Sequence, residues 1–265
     1  MISVRLFKSL ALAAIILFSL NSCKKIDASE GTSKTERFQV PDFNKIHIKT
    51  AGVLNYTQSS ERSVEVTANQ KIIDLLDISV VANTLIIDLK KNKIILNEED
   101  LVFTVSDDDV YSVETSGSAT ATLNFDEGHD FQHVELITSG SGNIELDAIN
   151  ALTADLTSSG SGNITVQTVQ VVGKIDVRGS GSGNFDIEGS SYELGLNLSG
   201  SGNYGDHDFI SEKVAAVISG SGNANVSVSY DLNASLSGSG NLTYKGYPIL
   251  LATSTSGSGQ VIDGN

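Results

Sequence analysis

The pentapeptide SGSGN stands at residues 139–143 and returns at 159–163, 180–184, 199–203, 219–223 and 237–241. Imperfect copies flank the set: SGSAT at 116–120 and SGSGQ at 256–260. Counted at the last letter, successive copies lie 23, 20, 21, 19, 20, 18 and 19 residues apart. A step held near twenty is the signature of a chain wound into stacked coils. The flanking residues repeat in the same phase. After each last letter comes Ile144, Ile164, Phe185, Tyr204, Ala224, Leu242 or Val261. Seven residues before it stand Leu136, Leu156, Val177, Leu196, Ala216, Ala234 and Thr253; nine before it stand Val134, Ala154, Ile175, Leu194, Val214, Leu232 and Leu251. These positions share one parity, so on extended chain they face one side.

Both glycines of the pentapeptide share that inward parity, while its serines and asparagine fall on the other. A glycine there leaves no side chain in the interior and permits backbone angles that a β-carbon forbids. Like residues in stacked coils lie about 4.8 Å apart, so the asparagines Asn143, Asn163, Asn184, Asn203, Asn223 and Asn241 are expected to form a ladder of mutual hydrogen bonds. The ladder is the candidate ligand surface. Whether it points outward or inward depends on the bend at the corner and is open at this point. The predicted fold is all-β: a right-handed parallel β-helix of about eight coils, a rod of roughly 40 Å.

Residues 101–265 carry this repeat, and residues 36–100 read as an N-terminal strand-and-hairpin cap module. Its strands alternate with period two, as in NKIHIKTAG and RSVEVTA. ISVVANTLIIDL, at 78–89, reads as a hairpin turning at Asn83–Thr84, and QKIIDLLD as one helical turn. Beyond the last pentapeptide only VIDGN follows, which offers no visible cap, so end-to-end self-association is expected there.

The N-terminus has the marks of export. Arg5 and Lys8 precede the apolar run LALAAIILFSL, which suits a signal-peptide core and is too short to span a bilayer. Leu20 and Ser22 before Cys23 resemble a lipobox, so residues 1–22 are expected to be removed and Cys23 acylated. Residues 23–35 then read as a lipid-anchored flexible tether. The expected location is the cell envelope, as an outer-membrane lipoprotein. Cys23 is the only cysteine, so no disulfide supports the fold.

Without residues 1–22 the chain has 15 Lys+Arg against 32 Asp+Glu, a surface that repels nucleic acid. Residues 94–173 hold 14 acids and no Lys or Arg. Asp107, Asp108, Asp109, Asp126 and Asp130, with Glu127, are oxygen ligands of the kind calcium takes, and His129 and His133 lie close in sequence. A solvated acidic loop accounts for the same residues, and no metal is assigned. The pentapeptide has no carboxylate for calcium and no lysine or following helix for phosphate. Six identical serine-containing copies do not make one nucleophile, and the four histidines, at 47, 129, 133 and 207, lie outside them. A polysaccharide-active enzyme would need carboxylates gathered in a groove. Asp147, Asp155, Asp176 and Asp186, near Lys174 and Arg178, are the candidates.

With the opening F-x-V-x-x-F-x-K-I-x-I at 38–48, the strand pair at 78–89 and the SGSGN-apolar units, residues 36–264 resemble the "putative auto-transporter adhesin, head GIN domain" family. The resemblance implies a right-handed β-helix and an adhesin-like role, and carries no catalytic residues with it. A chain ending at Asn265 is expected to lack the membrane barrel of true autotransporters. The functional expectation is a lipid-anchored, non-catalytic module that binds or scaffolds a glycan or an envelope partner without a cofactor. The alternatives are a carbohydrate-active enzyme and a purely structural envelope protein.

Overall fold

The computed structural model describes residues 24–29, 31–90, 93–126, 128–205 and 207–265. The signal segment 1–22, Cys23 and Glu127 lie outside the described residues. In chain order the elements are β1 (Lys24–Asp27), β2 (Ser33–Arg37), β3 (Lys45–Ile48), β4 (Val53–Gln58), β5 (Ser63–Asn69), the short helix α1 (Gln70–Ile73), β6 (Leu76–Val81), β7 (Thr84–Leu89) and β8 (Lys93–Leu96). Next come β9 (Val102–Asp107), β10 (Ser112–Thr115), β11 (Thr120–Asn124), β12 (Phe131–Thr138), β13 (Ile144–Ser158), β14 (Ile164–Gly179) and β15 (Phe185–Leu198). The chain finishes with β16 (Phe209–Ile218), β17 (Ala224–Leu236), β18 (Leu242–Lys245), β19 (Leu250–Thr255) and β20 (Val261–Asp263).

The expected β-solenoid is the observed fold, with 62% strand, 3% helix and about eight turns. One face stacks β3, β10, β12 and the C-terminal parts of β13 to β17, ending in β19, all parallel. A second face stacks β4, β11, the starts of β13, β14 and β15, bridges at Tyr204, then β17, β18 and β20. On a third side Ala151 pairs with Val171, Val171 with Ser191, and Ser191 with Ser211. The in-phase apolar columns meet inside. Ile144, Ile164, Leu156, Val177 and Leu232 are fully buried, and each extra coil adds another layer of such side chains.

At its base the chain departs from the sequence-derived plan. β3 and β4, assigned to the cap module, form a coil of the solenoid, sandwiched between the pair β7 and β9 below and the pair β10 and β11 above. The coil made second in sequence therefore lies lowest. Antiparallel strands close its free edges, β6 on β7 and β5 on β9, with β2 beyond β5. α1 buries Ile72 and Ile73 in the same cap, and the side chain of Asn69 caps it by accepting from Ile72 N at 3.1 Å. The β6–β7 turn falls at Ala82 and Asn83, both left-handed (φ 48° and 61°), one residue earlier than predicted.

The flexible tether predicted for 23–35 is not what the described part of that segment shows. β1 pairs in parallel with β8, and β2 adds an antiparallel strand to β5. Its polar composition reflects an exposed edge: every residue of β2 faces solvent.

Candidate binding surface

The pentapeptides form one corner of the coil. Their serines are exposed, their first glycines half-buried and their second glycines buried, as in Gly142, Gly162 and Gly183. The expectation that these glycines supply unusual backbone angles is not met. Left-handed glycines occur at 31, 52, 189, 205 and 246, outside the pentapeptides. Close approach is the reason instead. A β-carbon at Gly181 would sit 1.8 Å from the carbonyl oxygen of Gly160, and one at Gly202 would sit 1.9 Å from that of Gly183. The corners stack backbone on backbone.

The asparagine ladder exists and lies on the surface. Asn163, Asn184, Asn203, Asn223 and Asn241 each donate their backbone N–H to the Oδ1 of the asparagine one coil before, at 2.9–3.0 Å. Each also donates its Nδ2 to that same oxygen, at 3.2–3.4 Å. Gln260 N closes the series on Asn241 Oδ1 at 3.0 Å. Every Oδ1 from Asn143 to Asn241 is thus occupied from within, and Nδ2 has two hydrogens of which the ladder uses one. Beside it run two columns of exposed hydroxyls. One is Ser139, Ser159, Ser180, Ser199, Ser219, Ser237 and Ser256; the other begins at Ser141 and ends at Ser258.

Asp155, Asp176 and Glu193, on the β3–β19 face, are ion-paired in place. Lys174 Nζ lies 3.1 Å from Asp176 and 3.5 Å from Glu193, and its hydrogen bond to Asp176 raises the ammonium pKa. Arg178 bridges Asp155 and Asp176, while His133 Nε2 lies 3.6 Å from Asp155. This network runs along four coils, so Asp155 and Asp176 are engaged with basic side chains instead of facing each other across a groove.

The acidic residues singled out for a metal are dispersed. Asp107 is buried and ion-paired to Arg62, which also holds Asp42. Asp108, Asp109, Asp126 and Asp130 are exposed, and Asp126 Oδ1 accepts from Gly128 N at 3.0 Å. His129 packs on the Phe131 ring, centroids 4.3 Å apart, while His133 Nδ1 meets Thr153 Oγ1 at 3.0 Å. Among the described residues no three His, Cys, Asp or Glu side chains gather into a metal-holding group.

A groove that the sequence did not announce opens on the third side, with a volume of about 310 Å³. Gln132, Asn150 and Gln170 bring one amide from each of three coils, and Leu152 and Val172 form its apolar wall. The signal was present as amides recurring at steps of 18 and 20 residues, but outside the conspicuous pentapeptide.

Comparison with known proteins places these features in a wider set. The family described as "Putative auto-transporter adhesin, head GIN domain" matches residues 42–248. A putative adhesin from Parabacteroides distasonis is similar with a TM-score of 0.79 and 23% identity, covering 90% of this chain and 99% of its own. A protein from the same species, described as a putative lipid binding protein, has a TM-score of 0.78 and 24% identity, covering 91% and 100%. A putative adhesin from Bacteroides fragilis has a TM-score of 0.64 and 23% identity, covering 89% and 98%. At such identities the likeness is one of fold. No curated protein matches the chain. Among the described residues no helix is long and apolar enough to cross a membrane.

Proposed function

The chain belongs to the head GIN domain, adhesin-type family, and on that premise we propose that it is a non-catalytic binding rod of the cell envelope. Export through residues 1–22 and acylation of Cys23 anchor it at the outer membrane, and the rod presents repeated polar groups to a glycan of matching periodicity. The observation that carries this reading is the pair of serine columns, exposed on seven successive coils at one strand spacing of about 4.8 Å. Each hydroxyl contributes little alone, but a repeating ligand multiplies the contacts along the rod. The asparagine ladder supports the columns by holding the corners in register and turning one amide hydrogen outward at each step. The amide groove at Gln132, Asn150 and Gln170 is a second place where a sugar's hydroxyls find partners beside an apolar wall.

The test is a glycan array and an envelope pull-down with residues 24–265, which contain every described strand. Enrichment that falls at least tenfold when Ser159, Ser180 and Ser199 are all changed to Ala supports the corner. Loss with Gln132→Ala and Gln170→Ala instead moves recognition to the groove. No enrichment of any envelope polymer removes the reading. The anchor is tested separately: Cys23→Ala transfers the protein from the membrane to the soluble fraction.

A further inference from the structure

The two ends of the rod differ in how their strand edges are finished. At the base, β6 covers β7 and β5 covers β9, both antiparallel, so the parallel stack ends there on added cap strands. At the other end β19 pairs only with β17, and β20 only with β18. Their outer edges leave a row of backbone N–H and C=O groups without strand partners.

The side chains of this end face are those of a core cut open. Val134, Ala154, Ile175, Leu194, Val214 and Leu232 hold one column and are each exposed by 2% or less, yet Leu251, the next member, is 52% exposed. Around it Tyr247, Ile249 and Leu250 are exposed by 84%, 74% and 50%. Edge strands in soluble proteins are usually protected by charge, above all by lysine. Here residues 246–262, GYPILLATSTSGSGQVI, contain no charged side chain in a chain of net charge −15. This end meets its own kind without like-charge repulsion, and unlike the equally uncharged serine corner it is apolar.

We propose that this end pairs with the same end of a second copy of the chain, β19 against β19, antiparallel across a two-fold axis. The occupant follows from the asymmetry of the rod. A head-to-tail neighbour would have to offer the outer edge of β2 or β6, and these strands carry Lys34, Glu36, Arg37 and Asp77, the charge that protects an edge. Only the C-terminal face of another copy has both the free edge and the neutral apolar surround. A two-fold through β19 makes a closed dimer, because each rod spends its single uncharged open edge and no filament grows through it. The two capped ends, with the chain's N-terminal strands, then point away from each other.

The test is light scattering on residues 24–265 from about 1 to about 100 µM. A concentration-dependent dimer is expected. Leu251→Lys places a charge opposite its own copy and is expected to weaken the dimer at least tenfold, whereas Val81→Lys on the capped end leaves it intact. Circular dichroism checks that both variants keep the β fold. If Leu251→Lys does not fold, Leu251→Cys decides: the pairing that sets Leu251 opposite its own copy brings these two positions within disulfide reach, and residues 24–265 have no other cysteine. Oxidation is then expected to give a covalent dimer that reductant dissolves. A monomer at every concentration, a dimer indifferent to Leu251→Lys in a folded variant, failure of Leu251→Cys to cross-link, or open-ended larger species each overturns the proposal.

Discussion

Leu232 and Leu251 occupy equivalent positions in successive coils and are paired in register, yet the first is fully buried and the second is 52% exposed. Nothing in their own coils differs enough to explain this. Leu232 has a coil on each side and Leu251 has one on one side only. At the opposite end Leu85 of β7 and Phe103 of β9 also belong to a terminal coil, but both are fully buried because β5, β6 and the apolar side of α1 take the place of the missing neighbour. Burial in this molecule is supplied by the adjacent coil, so stability is close to a sum over nearest-neighbour contacts. The cap is what lets the base do without a coil beneath it.

Glycine obeys a different rule from leucine, and the difference can be broken experimentally. In each corner the forbidden β-carbon points back to the preceding coil: at Gly181 toward Gly160, and at Gly257 toward Gly238 at 1.9 Å. The last coil is therefore as intolerant of alanine as the middle ones, although its leucine is half bare. Gly181→Ala must force stacked backbones apart and is expected to cost more than about 4 kcal/mol, the largest effect of any single change considered. Gly257→Ala imposes the same clash, but on a coil that can lift away alone. It is expected to leave the main melting transition nearly in place and to accelerate amide exchange in β19 and β20 only. Thermal melts with hydrogen exchange check both. Equal damage from the two variants would mean the coils melt as one body.

Truncating the leucines sharpens the same contrast. Leu232→Ala removes a fully buried side chain between two coils and is expected to lower stability by about 3 kcal/mol, against less than about 1 kcal/mol for Leu251→Ala, read from urea unfolding of dilute protein. The asparagine ladder gives a smaller version. Asn203→Ala loses the bond its Nδ2 donates to Asn184 and the two its Oδ1 accepts from Asn223, and is expected to cost about 2 kcal/mol. Asn143→Ala, at the start of the ladder, loses the two bonds it accepts from Asn163 and is expected to cost about 1 kcal/mol.

How much of this was legible in the sequence follows from what a period records. The columns through Ile144, Leu156 and Ile175 repeat in phase with SGSGN, so coil length, core and corner were all readable. Strand order at the base was not. β10 returns to pair with β3 across 60-odd residues of intervening chain, and no local pattern announces that β7 and β9 slide beneath a coil already made. The stretch 24–35 misled for the opposite reason, since an exposed edge strand and a flexible linker have the same polar composition. The corner glycines were placed correctly and explained wrongly. Parity shows which way a residue faces, but only the stacked backbone shows that Gly140 or Gly160 has a carbonyl where its β-carbon would be. The amide groove went unnoticed because Gln132, Asn150 and Gln170 are ordinary surface residues until three coils bring them to one groove.

The capped end differs from the bare one in a last respect, its response to acid. His47 lies half-buried on the outer side of β3, with its Nε2 2.8 Å from Ser116 Oγ and 3.5 Å from Glu114. Burial disfavours the charged ring and outweighs the attraction of Glu114, so the imidazole stands below its ordinary value, with Lys49 adding to the depression and Asp88 opposing it. The sign of the linkage follows. Above about pH 6.5 the ring is neutral in both folded and unfolded chain and the base keeps its full stability. As pH falls through that value the unfolded chain takes up the proton first, stability declines, and the decline ends below the folded value. β18 to β20 contain no histidine. Acidification from neutral pH to about 5 should therefore increase amide exchange in β3 and β10 before it does so in β18 or β20, despite the bare edge of the latter. His47→Gln, which keeps a side-chain amide near Ser116 and cannot titrate, should remove that pH dependence and leave the Leu232–Leu251 contrast untouched. An unchanged acid response in this variant would show that it does not originate at His47.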